Sequence, residues 1–242
     1  MDKSQTERAA PSKFADVLVL AKVRLNALVV ATTAGGYYMA AGSTANFGSL
    51  AVAAVGTALV ASGAAAINQV AERDTDRLMV RTRQRPVAAG RMSASEGHFI
   101  GWILTAIGCA TLWFLANPLS AGIALATLVT YIWAYTPMKR RTSLATIVGA
   151  VPGALPPLIG WAAARGSVSD IAPWTLFVVM FIWQLPHFLA IAWLFRDDYA
   201  RAGLPMLSVV DTGGGLTGRQ SALWAATLVP MSLLPFLTGL AD

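Results

Sequence analysis

Residues 68–86 read Asn68-Gln-Val-Ala-Glu72-Arg-Asp74-Thr-Asp76-Arg-Leu-Met-Val-Arg81-Thr-Arg83-Gln-Arg85-Pro86, a dense mixture of acids and bases at the edge of a long apolar run. Asn68, Glu72 and Asp76 are spaced i, i+4 and i+8, which aligns three oxygen donors on one face if a helix runs through them. Beside hydrocarbon such a stripe is costly unless a cation compensates it. Mg²⁺ suits it, because that ion takes a few carboxylates and completes its shell with water and substrate phosphates. Asp74 falls on another face of an ideal helix and joins only if the helix unwinds there. Arg81, Arg83 and Arg85 offer planar forks matched to phosphate oxygens. Carboxylates that hold Mg²⁺ beside arginines are the arrangement expected for a diphosphate. A solvated, salt-bridged helix cap is the alternative that spacing alone leaves open.

The elements that must position this cluster follow from composition. Of 242 residues, 56% are hydrophobic and only 12% charged, against about 25% charged in an average soluble domain, and mean hydropathy is +0.58. That excludes a disordered chain, a collagen and an ordinary soluble globule, and leaves an all-α polytopic membrane protein. Stretches without Asp, Glu, Lys or Arg cover 25–71, 97–138, 142–164, 171–195 and 220–241. Since a crossing takes about 20 helical residues, the first two stretches each hold two crossings, broken at 41–46 and at Asn117-Pro118. Seven helices are predicted, near 22–41, 49–71, 97–116, 119–136, 143–164, 172–195 and 220–241. The lone cysteine, Cys109, excludes a disulfide framework, a CxxC pair and a Cys-ligated metal centre.

The net charge of +6 reads as topology, with no nucleic-acid partner implied. Seventeen of 18 basic residues fall on one side of this arrangement, and only Arg165 falls on the other. The positive-inside rule makes that side, with the amino terminus, cytoplasmic. Residues 1–15 form a polar cytoplasmic tail, and 16–242 the membrane domain. The tail has neither a cleavable signal pattern nor an Arg- and Ser-rich transit pattern, which points to a bacterial inner membrane. Chemistry on a soluble substrate belongs at the cytoplasmic ends of helices 2, 4 and 6. His187, one of two histidines, sits mid-helix in an apolar span, where an ionisable residue is a functional candidate and a packed, hydrogen-bonded histidine the alternative. His98 reads as a surface residue, the tryptophans as interfacial anchors, the methionines and Cys109 as packing, and Pro152, Pro156 and Pro157 as a kink in helix 5.

The pattern N-x-x-x-[DE]-x-x-x-D followed by R-T-x-x-R-P resembles the first aspartate-rich motif of the UbiA superfamily of intramembrane prenyltransferases. Within it, the chain resembles the heme O synthase (protoheme IX farnesyltransferase) branch through three further segments. These are Tyr135-Thr-Pro-Met-Lys139-Arg140-Arg141-Thr142, Gly153-Ala-Leu-Pro-Pro157-Leu-Ile-Gly-Trp161, and Trp183-Gln-Leu-Pro-His187-Phe188, which continues to Asp198-Tyr199 and Gly203-Leu-Pro-Met-Leu207. Together they run from about Lys22 to Val210.

The resemblance implies a helical bundle around a central cavity, with two polar motifs facing each other at its cytoplasmic end. Asn68, Glu72 and Asp76 would bind Mg²⁺ and through it farnesyl diphosphate. Asp74 would be a weaker candidate for the same metal, and Asp198 would supply the opposing acid. Arg81 and Arg85 would hold or gate the diphosphate, with Lys139 and Arg140 approaching from the next loop. His187 would face heme and Trp183 flank it. The second motif departs from the superfamily's two acids, since Ala202 stands four residues after Asp198; this favours the heme branch. The implied reaction joins farnesyl to heme B in the membrane, with heme A synthase or the terminal-oxidase assembly machinery as partners. A prenyltransferase acting on an aromatic quinone or chlorophyll precursor, and a non-catalytic transporter or assembly factor, are the rival readings. The family usually has nine crossings, so seven imply a sequence truncated at its C-terminal end.

Overall fold

A computed structural model describes residues 12–240, and the described residues are helical without strands. The basic residues Lys3 and Arg8 of the predicted tail lie outside them. Eleven helices carry the architecture: α1 (Lys13–Leu20), α2 (Val23–Ala41), α3 (Phe47–Ala71), α4 (Arg73–Leu78), α5 (Ala94–Leu115), α6 (Pro118–Met138), α7 (Ala145–Arg165), α8 (Ile171–Leu194), α9 (Arg196–Arg201), α10 (Leu207–Val210) and α11 (Gly215–Leu237). Six of them, α3, α5, α6, α7, α8 and α11, are long and apolar enough to cross a membrane. The predicted first crossing forms as the 19-residue α2. Arg24, Asn26, Thr32 and Thr33 make it more polar than the others, and it packs along α3 and the second half of α7.

Local sequence explains where the helices start and stop. Asn46 caps α3 by accepting from the Ser49 N–H at 3.0 Å. Ser93 and Glu96 form a reciprocal capping box at the start of α5. Asn117 accepts from the Ser120 N–H at 2.9 Å with Pro118 behind it, and donates to the Ala162 carbonyl at 2.7 Å. The helix predicted for 143–164 is interrupted at Leu155, just before Pro156 and Pro157, as the prolines suggested. The last crossing begins earlier than the charge-free run, at Gly215. There Asp211 accepts from both the N–H and the hydroxyl of Thr217, at 2.7 and 2.9 Å, so Arg219 lies inside the helix. Before the first predicted crossing, α1 starts at Lys13, and its buried Asp16 is held by Arg91 through three hydrogen bonds of 2.8–3.1 Å.

The bundle is centred on α3, which contacts α2, α5, α6 and α7. Its approach to α5 is backbone-close because glycines meet glycines. A Cβ at Gly108 would lie 2.8 Å from the Gly56 carbonyl oxygen, and one at Gly63 would lie 2.6 Å from that of Gly101. In lipid, where hydrophobic burial does not drive helix association, such small-residue contacts supply the packing attraction. Replacing Gly108 with Val is expected to destabilise the fold by about 1–3 kcal/mol, read as a lowered melting temperature in detergent. Gly122→Ala, with no atom within 4 Å of the added carbon, should melt close to the unmodified protein.

Candidate active site

The candidate site lies where α3 passes into α4, beside the end of α6 and the junction of α1 with α2. The helical hydrogen bonds run through the motif: Glu72 N–H donates to the Asn68 carbonyl at 2.9 Å, and Asp76 N–H to that of Glu72 at 2.8 Å. The three side chains therefore do share one stripe, and all are buried, with Asp76 fully enclosed. Asp74 is exposed and pairs with Arg73 and Arg77 at 3.5 and 3.7 Å.

Each member of the stripe meets a cation. Both Asp76 oxygens accept from Arg85 Nη1, at 2.9 and 2.8 Å. Glu72 Oε1 accepts from Lys139 Nζ at 2.9 Å. Asn68 Oδ1 accepts from Lys22 Nζ at 3.3 Å and from the Tyr131 hydroxyl at 3.1 Å, while its amide nitrogen donates to Thr136 Oγ1 at 3.2 Å. Burial disfavours the Glu72 carboxylate, but Lys139, Lys22 and Arg85 outweigh it and hold the group below the usual carboxylate range. For Lys22, burial is the largest influence and Arg85 and Lys139 add to it, so its pKa falls to about 7 despite Glu72 and Asp76. Lys22 meets an amide oxygen, not a carboxylate, and among the described residues it is the only non-glycine residue with positive φ, 48°. That left-handed backbone costs about 1–2 kcal/mol and directs a basic side chain to the stripe.

Two of these contacts escaped the sequence reading. Tyr131 and Thr136 reach Asn68 because α6 runs through a π-helical stretch, Thr130–Tyr135. Thr136 donates back to the Tyr131 carbonyl at 2.8 Å, and Tyr131 stacks on Tyr135 with ring centroids 5.5 Å apart. The i, i+4 relation of Tyr131 to Tyr135, and the place of Thr136 within the quoted Tyr135–Thr142 segment, were the available signal. Lys22 was read only as a topological charge.

Asp198, expected as the opposing acid, is directed at backbone. Its two oxygens accept from the N–H groups of Val80 and Arg81, at 3.1 and 3.0 Å, and it pairs with Arg201. The Arg81 N–H, with Arg201 and Val80 adding, holds its carboxyl below the usual range against burial. Asp198 thus anchors the loop after α4, which carries Arg85. Among the described residues no three acidic, histidine or cysteine side chains gather as a metal cluster; the stripe itself supplies two acids and an amide, and Asp198 is engaged by the loop backbone and Arg201. Arg81 itself lies over the Phe195 ring, 4.8 Å from its centroid. Arg140 is exposed and donates to the Ala71 carbonyl at 3.1 Å, on the opposite side of the chain from Lys139's task. Trp183 and His187 stand together on the exposed face of α8, stacked with ring centroids 5.2 Å apart.

The donor set suits a hard divalent cation: an amide and two carboxylates along one stripe, with Glu72 Oε2 accepting no hydrogen bond among the described residues. The surrounding lysines and arginine suit a polyanion. An oxygen stripe inside a ring of bases can hold a metal and a diphosphate together once the bases exchange carboxylate for phosphate partners.

Comparison with known proteins identifies the family and the fold. Residues 28–242 match the UbiA prenyltransferase family. A protein of Solibacter usitatus named protoheme IX farnesyltransferase is 43% identical over 93% of this chain and 80% of its own. One of the same name from Anaeromyxobacter sp. is 46% identical over 94% of this chain and 77% of its own. A UbiA homologue from Archaeoglobus fulgidus, solved bound to GPP and Mg²⁺, superposes with a TM-score of 0.72 at 17% identity, over 94% of this chain and 79% of its own. The apo structure of a UbiA homologue from Aeropyrum pernix K1 gives 0.74 at 19%, over 91% and 82%. With its apolar crossings and its match over most of the sequence, the chain is an integral membrane protein that belongs to the UbiA prenyltransferase family.

Proposed function

We propose that this chain transfers a farnesyl group from farnesyl diphosphate to a vinyl group of heme B (protoheme IX), with addition of water, giving heme O for terminal-oxidase biogenesis. The observation that carries this reading is the buried Asn68–Glu72–Asp76 stripe met by Lys22, Lys139 and Arg85. The choice of heme as acceptor rests on relatives at 41–46% identity named protoheme IX farnesyltransferase. The protein sits in a bacterial inner membrane with its arginine-rich end, the site and the amino terminus on the cytoplasmic side.

Asn68, Glu72 and Asp76 would hold Mg²⁺, which when bound supplies positive charge to a departing diphosphate. Lys22, Lys139 and Arg85 bind the diphosphate oxygens and stabilise the charge that develops as the allylic C–O bond breaks. Both electrons of that bond leave with the diphosphate. The farnesyl carbon, shielded from water by apolar helix faces, accepts the electron pair of the heme vinyl group. Water then adds to the cation beside the porphyrin ring and releases a proton, leaving a hydroxyethylfarnesyl side chain. Asp198 keeps Val80 and Arg81 in place, so that Arg85 on the same loop reaches the site. Trp183 and His187 offer a stacked aromatic surface to the porphyrin, and a neutral imidazole is a common iron ligand.

Membranes containing the protein, given heme B, farnesyl diphosphate and Mg²⁺, should yield a heme heavier by one farnesyl group plus water in reversed-phase chromatography with mass detection. A prenylated quinone-type product in its place would contradict the acceptor. Asp76→Asn and Glu72→Gln should each lower the heme product by ~100-fold or more, while Asp74→Asn should stay near the unmodified rate. Asp198→Ala leaves two backbone N–H groups without acceptors, so hydrogen exchange at Val80 and Arg81 should quicken by ~10-fold or more, about 1–3 kcal/mol of lost local stability.

A further inference from the structure

The turn after α6 divides its basic residues between two sides. Lys139 points into the site and meets Glu72. Arg140 and Arg141 are exposed and line a separate open cleft of about 450 Å³, together with Ala71, Ile132, Trp133 and Thr136. Arg140 donates from one terminal nitrogen to the Ala71 carbonyl. Arg141 makes no side-chain hydrogen bond or ion pair among the described residues. Below them the walls turn apolar. Trp133 is 57% exposed, and Trp102 of α5, also exposed, leans on it with ring centroids 6.2 Å apart.

Trp133 lies five residues before the end of α6, and Arg140 in the turn just beyond that end. Guanidinium groups above and indoles below, on the outer surface of a membrane-spanning bundle, match the layering of a phospholipid, with phosphate outermost and acyl carbons inward. The cleft opens at the arginine-rich end, the end that meets the anionic leaflet in the orientation proposed above. Basic pockets between crossings on that side bind acidic headgroups.

We propose that this cleft is a binding site for one anionic phospholipid. Its phosphate is held by Arg140 and Arg141, and its upper acyl chain lies against Ile132, Trp133 and Trp102. The same placement takes Arg140 out of the diphosphate site, leaving Lys139 as the basic residue this turn contributes there. One wall of the cleft is Thr136, which accepts the Asn68 amide hydrogen bond, so the lipid stands one side chain away from the oxygen stripe.

The test uses the full chain purified in detergent and supplied with equal amounts of phosphatidylglycerol and phosphatidylcholine, with retained lipid read by native mass spectrometry. Selective retention of phosphatidylglycerol, weakened about tenfold or more in an Arg140→Gln/Arg141→Gln double variant, is expected. Arg219→Gln, which removes an exposed charge elsewhere at the same end, should leave retention unchanged. Circular dichroism establishes that each variant is folded. In vesicles of brominated phosphatidylglycerol, the unmodified protein should lose more tryptophan fluorescence than in brominated phosphatidylcholine. That difference should shrink in Trp133→Phe, a readout that does not require the arginine variants to fold. Equal retention of the two lipids, equal loss in the Arg219 and Arg140/Arg141 variants, or quenching indifferent to Trp133 would each overturn the proposal.

Discussion

Three buried oxygen-bearing side chains on one helical stripe are tolerable only because three basic side chains reach them from other elements. Glu72 and Asp76 would carry two unshielded negative charges into a region excluded from water, a cost of several kcal/mol per ion. Lys139 from the end of α6 and Arg85 from the loop after α4 remove it. Lys22 adds a third positive charge, opposed only by an amide. The cluster therefore carries an excess of positive charge when Lys22 is protonated, and a bound diphosphate with its Mg²⁺ would bring it towards neutrality. A polyanion can dock without stranding a buried carboxylate, because every base it recruits is replaced by the metal it brings.

The helix geometry serves this cluster. Glycine contacts draw α3 close to α5, which fixes the axis from which the stripe projects. The π-helical stretch in α6 brings Tyr131 and Thr136 against Asn68 and leaves Lys139 one turn beyond, beside Glu72. At the other end of the sequence, Asp198 fastens Val80 and Arg81 and so ties the first motif's loop to the region after α8. Met79 of that loop packs with Ala192, Tyr199 and Leu204, which gives the same tie an apolar part.

Much of this was legible in the sequence because membrane helices announce themselves by length and charge exclusion. The predicted helices lie within a few residues of the observed ones except at the start of α11, where counting charges stopped at Arg219 and overlooked the Asp211 cap; six of the seven are long and apolar enough to cross a membrane. The Asn68–Glu72–Asp76 stripe and the outward turn of Asp74 followed from helical spacing alone. Side-chain destinations that depend on tertiary contact did not. Lys139 and Arg140 are neighbours in sequence and serve opposite sides, Asp198 holds backbone, and Lys22 enters the site through a left-handed residue that no periodicity signals. The membership in the family came from motif order, which carries information that single spacings lack.

The central claim is that the buried stripe and its bases form one site for a metal and a diphosphate. Calorimetric titration of the purified protein with farnesyl thiodiphosphate, a poorly ionising analogue, tests it most directly when run with Mg²⁺ and again with a chelator. Binding in Mg²⁺ that is lost in the chelator, and lost as well in a Glu72→Gln/Asp76→Asn variant that remains folded, is the predicted result. Equal affinity with and without the metal, or undiminished Mg²⁺-dependent binding in that variant, would contradict it.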